Sequence, residues 1–134
     1  MTDINLETKV IRKFVLKEKQ ERYLTFIQKD KTRYKFLNDL YHPTFFRVDL
    51  FKQISGQHES DEIKEVIQQL NVSDCYIIST NRDIDGKRMD TDRALKEALS
   101  DWADRGTLLI FGDAEIVYRE HEGPKDRWIS RLVY

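Results

Sequence analysis

The sequence predicts an α+β fold: N-terminal helices followed by a β-α-β-β-β run, with a mainly antiparallel sheet of about four strands and helices packed on a face. Three observations predict it. Apolar residues recur at helical spacing through the first half, as in Leu6, Val10 and Phe14, and again in Ile63, Val66, Ile67 and Leu70. Short runs rich in β-branched and aromatic residues dominate the second half, at 75–80 and 107–111. Gly112-Asp113 and Gly123-Pro124 then punctuate that half at hairpin spacing.

Element by element, residues 5–28 read as one long helix, or as two with a bend near Leu16. Tyr23, Leu24 and Ile27 extend its apolar stripe, and Glu18 and Arg22 form an i,i+4 pair in the favoured order. Lys29-Asp30-Lys31 is a polar break. Tyr34, Leu37, Leu40 and Tyr41 mark the buried face of a second helix, which ends at His42-Pro43 because the residue before proline avoids the helical region. Residues 44–58 are ambiguous: Phe46, Val48 and Leu50 alternate like a strand, while Leu50, Phe51 and Ile54 suit a helical turn closed by Gly56. Ser60 is an N-cap, with Asp61 and Glu62 in the favourable first turn.

The run 75–80 is apolar on both faces, as a central strand requires. Ala94, Leu95, Ala98, Leu99 and Trp102 form a helix stopped at Gly106. The strand–helix–strand step over 75–111 has the length of a right-handed crossover. Residues 115–119 return from the Gly112-Asp113 turn, and Trp128 to Val133 forms a last strand after a turn at 122–126. The whole chain, 1–134, reads as a single domain with a helical part at 5–70 and a sheet-rich part at 74–134. There is no internal repeat and no low-complexity segment.

Composition narrows the function classes. With 40% hydrophobic residues the chain can bury a core unaided, without a metal or a disulfide. The single cysteine, Cys75, lies in an apolar run and reads as a buried structural thiol, which suits a reducing compartment. Residues 1–6 are mostly polar with no apolar stretch behind them, and no run approaches the ~20 apolar residues of a membrane span. The expectation is a cytoplasmic protein with no membrane partner. Net charge is −1, divided unevenly: residues 1–56 carry +5, residues 57–134 carry −6, and 9–35 alone carry +7. Such polarity points to an acidic partner or a nucleic acid, or equally to halves that face each other or a second copy with complementary charge.

The densest chemistry lies at 81–92, where Asn81, Asp83, Asp85, Gly86 and Asp92 fall at positions 1, 3, 5, 6 and 12 of a calcium loop. The match breaks at Asn81 for Asp, at the short Asp92 for Glu, at Arg88 where an apolar residue packs, and in the preceding strand, which should be a helix. No metal or other cofactor is therefore expected. A polar turn remains, with Gly86 left-handed and Asp90 or Thr91 capping the next helix. Arg82, Asp83, Asp85 and Lys87 would form a mixed-charge recognition surface at the end of a central strand.

His121, beside Arg119, Glu120 and Glu122, is the candidate acid or base. Its structural alternative is an exposed histidine at a hairpin end. His42 and His58 read as structural and solvated, and the three histidines match no metal spacing. Ser79 has no histidine beside it in sequence, and the chain carries no nucleophile elbow, P-loop or dinucleotide fingerprint. The basic segment 9–35 interleaves Phe14, Tyr23, Phe26 and Tyr34 with Lys and Arg, the pairing that single-stranded nucleic acid uses. Most of those rings fall on or near the apolar stripe and so belong to a core.

Residues 22–42, 75–89 and 106–118 (R-Y-L-T-F-I…K-F-L-N-D-L-Y-H, C-Y-I-I-S-T-N-R-D-I-D-G-K-R-M and the hairpin) resemble a family of small uncharacterised bacterial proteins. There a strand leads into a polar D-G loop, a helix and a hairpin. The resemblance implies bacterial origin and no assigned activity. Function is expected to be that of an interaction or regulatory protein rather than an enzyme, working through charged surfaces on another protein or on itself, with an immunity- or defence-type inhibitor as one form. A small hydrolase or phosphodiesterase using the 81–92 carboxylates with His121 is the alternative. Nucleic-acid binding through 9–35 is the second.

Overall fold

Six strands form one sheet in the order β1-β6-β5-β4-β2-β3, every neighbouring pair antiparallel. They are β1 (Phe51–Gln53), β2 (Asp74–Ser79), β3 (Arg88–Asp90), β4 (Thr107–Phe111), β5 (Ile116–Glu120) and β6 (Arg127–Ser130). The computed structural model describes residues 2–54, 59–100, 106–122 and 126–131. The expectations for Gly56, His58, Trp102, the turn at 123–125 and the strand end at Val133 fall outside these residues, as do the side chains of Ser60 and Leu99.

The α+β plan holds, and the helices divide between both faces of the sheet. Alternate side chains explain this. Tyr76, Ile78, Leu108, Ile110 and Val117 point to a core shared with α1 (Ile4–Phe14), α2 (Gln20–Phe26) and α3 (Asp30–Asp39). Cys75, Ile77, Leu109, Phe111 and Tyr118 point to a second core under α4 (Glu59–Ile67) and α5 (Thr91–Ser100). The central strands are apolar throughout because both of their faces are covered.

Two strands beyond the expected four lie in segments read otherwise. β1 belongs to the stretch assigned to the helical part, yet pairs with β6 through Phe51↔Ser130 and Gln53↔Trp128. β3 lies within the 81–92 connection and pairs with β2, so that connection is mostly a hairpin. Because β2 and β4 are antiparallel neighbours, the 75–111 step is no crossover. Among the described residues no helix is long and apolar enough to cross a membrane.

The long N-terminal helix breaks at Val15 and Leu16, which adopt extended backbone (ψ 142° and 136°). Val15 pairs with Phe46 in an isolated bridge, and Leu16 N–H donates to Phe45 O at 2.8 Å. Residues Lys17–Lys19 form a 3₁₀ turn, so Glu18 and Arg22 lack the helical register and do not pair with each other. Of the expected stripe Tyr34, Leu37, Leu40 and Tyr41, Leu40 is fully buried just after α3 and Leu37 packs partly buried on the core, while Arg33 and Phe36 are the buried residues of α3 itself. Tyr34 is instead 56% exposed.

Candidate functional site

The 81–92 segment folds around its own backbone. Asn81 Oδ1 accepts from Asp83 N–H at 3.1 Å, and Asn81 O accepts from the amides of Ile84 and Asp85. Gly86 is left-handed as expected (φ +75°) and donates to Ile77 O at 2.8 Å, which starts the β2–β3 pairing. Asp90 Oδ2 accepts from Arg93 N–H at 3.1 Å and so caps α5, also as expected.

Asp85 points inward, not to a recognition surface. Its Oδ1 accepts from Ser79 N–H at 3.0 Å and from Arg33 Nη2 at 2.9 Å, and its Oδ2 accepts from Arg33 Nε at 2.9 Å. The other edge of the Arg33 guanidinium holds Glu7 of α1, with Nη1 on Oε1 and Nη2 on Oε2. The Tyr76 hydroxyl donates to Glu7 Oε2 and accepts from Asp3 N–H at 3.0 Å. Glu7 is 0% and Arg33 5% exposed. Burial works against the Arg33 charge, but hydrogen bonds to Asp85 and Glu7 more than offset it and hold the guanidinium firmly protonated. Burial and the Glu7 carboxylate hold the Tyr76 hydroxyl above its usual range.

The ion pattern also comes apart in space. Asp92, in the first turn of α5, pairs with Lys64 of α4 at 2.9 Å, in the helix layer on the other face of the sheet from Arg33 and Asp85. Among the described residues no group of three or more His, Cys, Asp or Glu is placed to hold a metal. Arg82, Asp83 and Lys87 are exposed beside α3, where the Arg33–Asp85 bridge anchors their loop.

His121 is 0% exposed, contrary to the exposed hairpin-end reading. Its Nδ1 bonds to Leu40 O at 2.6 Å, and its Nε2 lies 3.0 Å from Arg119 Nη1. A carbonyl must receive a proton and a guanidinium must give one, so the ring is the neutral Nδ1–H tautomer. Burial first, then the Arg119 charge, pushes its pKa down to about 4. Arg119 is itself buried over Phe46, Phe51 and Trp128, at 4.8, 4.4 and 5.2 Å from the ring centres, and desolvation lowers its pKa to about 10.

His121 and Asp85 share no partner. Glu120, next to His121, pairs with Thr107 on β4, which pairs with Ser79 on β2, whose N–H binds Asp85; two strand spacings, on the order of 10 Å, separate Glu120 from Ser79. Ser79 Oγ is engaged by Thr107 Oγ1 at 2.8 Å and by Asn81 N–H at 3.0 Å.

Comparison with protein-family models, curated proteins and solved structures returns no match.

The basic segment is the feature that the buried networks leave open. Part of it is neutralised: Lys9 pairs with Asp113 at 2.7 Å, Arg12 with Glu21 at 2.9 Å, Lys13 binds the carbonyls of Ala114 and Glu115, and Arg33 is buried. Of these contacts, the Lys9–Asp113 pair joins the basic first half to the acidic second half, whereas Arg12–Glu21 and Arg33–Glu7 lie within the first half. Lys17, Lys19, Arg22, Lys29, Lys31 and Lys35 make no ion pair among the described residues. They surround the α2–α3 hairpin. Arg22 from α2 and Lys35 from α3 converge on the half-buried Phe26 ring, at 5.6 and 5.5 Å from its centre. Glu18 and Asp30 are exposed acids on this hairpin, and Asp39 is engaged by the Tyr23 hydroxyl at 2.8 Å.

Phe14 and Tyr23 are core residues, as the stripe predicts, whereas Tyr34 is not. Arg33 escaped sequence reasoning because a lone arginine in a lysine-rich run reads as solvated. Its one signal is position: it shares a helical face with Phe36 and Leu40.

Proposed function

We propose that this chain is a non-enzymatic interaction or regulatory protein whose working surface is the cationic α2–α3 hairpin. One observation carries the reading: six cations that make no ion pair among the described residues lie on or beside one helical hairpin, while the buried Arg33 and His121 are engaged from within. Two cations converging on one ring repel each other, so an acidic partner would be stabilised there. The exposed Arg82 and Lys87 beside α3 would extend the surface.

An immunity- or defence-type inhibitor is a concrete form of this activity. Bacterial origin rests on the resemblance of 22–42, 75–89 and 106–118, and a cytoplasmic location on the single buried thiol. The hydrolase reading has less support, because Asp85 and His121 spend their polar atoms on separate structural partners.

The test compares wild type with a Lys31→Glu/Lys35→Glu variant as bait in a bacterial extract. A partner held by the wild type and released by the variant supports the proposal. Equal capture by both proteins, or capture by neither, overturns it.

A further inference from the structure

Building on the reading of α2–α3 as the working surface, we infer that its partner is single-stranded nucleic acid. Three properties of the surface carry the inference.

The first is the kind of cation. Five of the six unpaired groups are lysines, and lysine is depleted in the cores of protein–protein interfaces whereas arginine is enriched. Lysine is a compact charge that suits a phosphate backbone read without sequence preference.

The second is spacing. Lys31, Tyr34, Lys35 and Asn38 are all exposed and recur at helical spacing along one face of α3. Arg22 reaches the same area from α2 through their common contact with Phe26. The charges therefore form a track rather than a point.

The third is Tyr34. It is one of the two large apolar side chains most exposed among the described residues, and it lies between two lysines in this track. A ring with a free face amid phosphate-binding cations is the combination on which an unstacked base rests. Duplex DNA offers phosphates but no free base face, and an acidic protein offers neither a regular phosphate spacing nor a base.

The experiment is fluorescence anisotropy with labelled oligo-U and oligo-dT roughly 15 nucleotides long, enough to span a single-strand site. Duplex DNA of the same length and poly-glutamate serve as the comparison anions. Expected is binding of the single strands with a log–log salt slope of about −3, the value for four engaged phosphates. Lys31→Glu/Lys35→Glu should weaken it by roughly tenfold or more at low salt. Tyr34→Ala should weaken single-strand binding by roughly tenfold while leaving duplex binding unchanged. Unequal affinity for oligo-U and oligo-dT would separate RNA from DNA as the source.

Equal affinity for poly-glutamate, or a Tyr34→Ala effect shared with duplex, overturns the inference and leaves the working surface standing. Absence of binding to every anion also overturns it, and leaves the surface to be judged by the extract experiment. Undiminished oligonucleotide binding by the charge-reversed variant overturns both. All three substituted side chains are exposed, so circular dichroism and thermal unfolding should match wild type.

Discussion

Arg33 on α3 and Asp85 in the β2–β3 hairpin, 52 residues apart, are joined by two hydrogen bonds of 2.9 Å. The same guanidinium holds Glu7 of α1. One side chain thus ties two helices to a sheet hairpin, the hairpin that carries the exposed Arg82 and Lys87.

Removing that side chain leaves two carboxylates without their cation, one of them fully buried. Arg33→Met is expected to cost about 3–5 kcal/mol, the usual penalty for breaking a buried ion pair from one side. Urea unfolding followed by circular dichroism measures it. Glu7→Gln/Arg33→Met/Asp85→Asn, which removes every charge together, should recover part of the loss. A single-variant cost below about 1 kcal/mol would mean the network adds little beyond packing.

His121 gives the fold a defined acid sensitivity. Its folded pKa, about 4, lies below the ordinary 6.5, so the unfolded chain binds the proton more tightly. The contribution is complete above pH 6.5 and is lost as pH falls from there towards 4; it amounts to about 3 kcal/mol. Arg119, Asp126 and His42 are the charged or titratable groups acting on the ring, and Arg119 opposes its protonation. Urea midpoints at pH 7 and 4.5 should differ by more in wild type than in His121→Gln. Equal pH slopes in the two proteins would assign the acid sensitivity to other groups.

The elements were legible where one physical signal dominated. Ile63 and Ile67, or Leu108 to Phe111, are apolar with a clear period, and they are buried as that period requires. The failures share a cause: short segments whose structure is set by distant partners. β1 and β3 have three residues each and exist because β6 and β2 offer free edges. Residues 15 and 16 leave the helix because Phe45 and Phe46 compete for them. For the site, the basic segment was visible as composition. Which cations stay free depends on Asp113, Glu21 and Asp85, and no local pattern shows those contacts.

Cys75 should be inert in the folded protein. Burial foremost, with Asp74 adding to it, pushes its thiol up to about 12, so almost no thiolate exists near neutral pH. A colorimetric thiol reagent at pH 8 is expected to react with one equivalent in denaturant and with almost none in buffer. Rapid reaction in buffer would show that the second core, where Cys75 packs with Ile77 and Leu95, opens readily.

Gly106 is required by space. A Cβ there would lie 2.5 Å from Leu40 Cβ and 2.6 Å from Leu40 O, so the backbone after α3 would have to move. That carbonyl accepts the His121 Nδ1–H bond. Gly106 is also tied to β2, accepting from Thr80 N–H at 2.9 Å, so it has little room to yield. Gly106→Ala is therefore expected to destabilise by about 1–3 kcal/mol through overpacking. It should also raise the His121 pKa towards its ordinary value, because a displaced Leu40 loosens the burial that holds it down. Histidine proton shifts followed through a pH titration, beside urea unfolding, read both effects. A stability loss with the histidine titration unchanged would show that the Leu40 backbone moves without disturbing the ring.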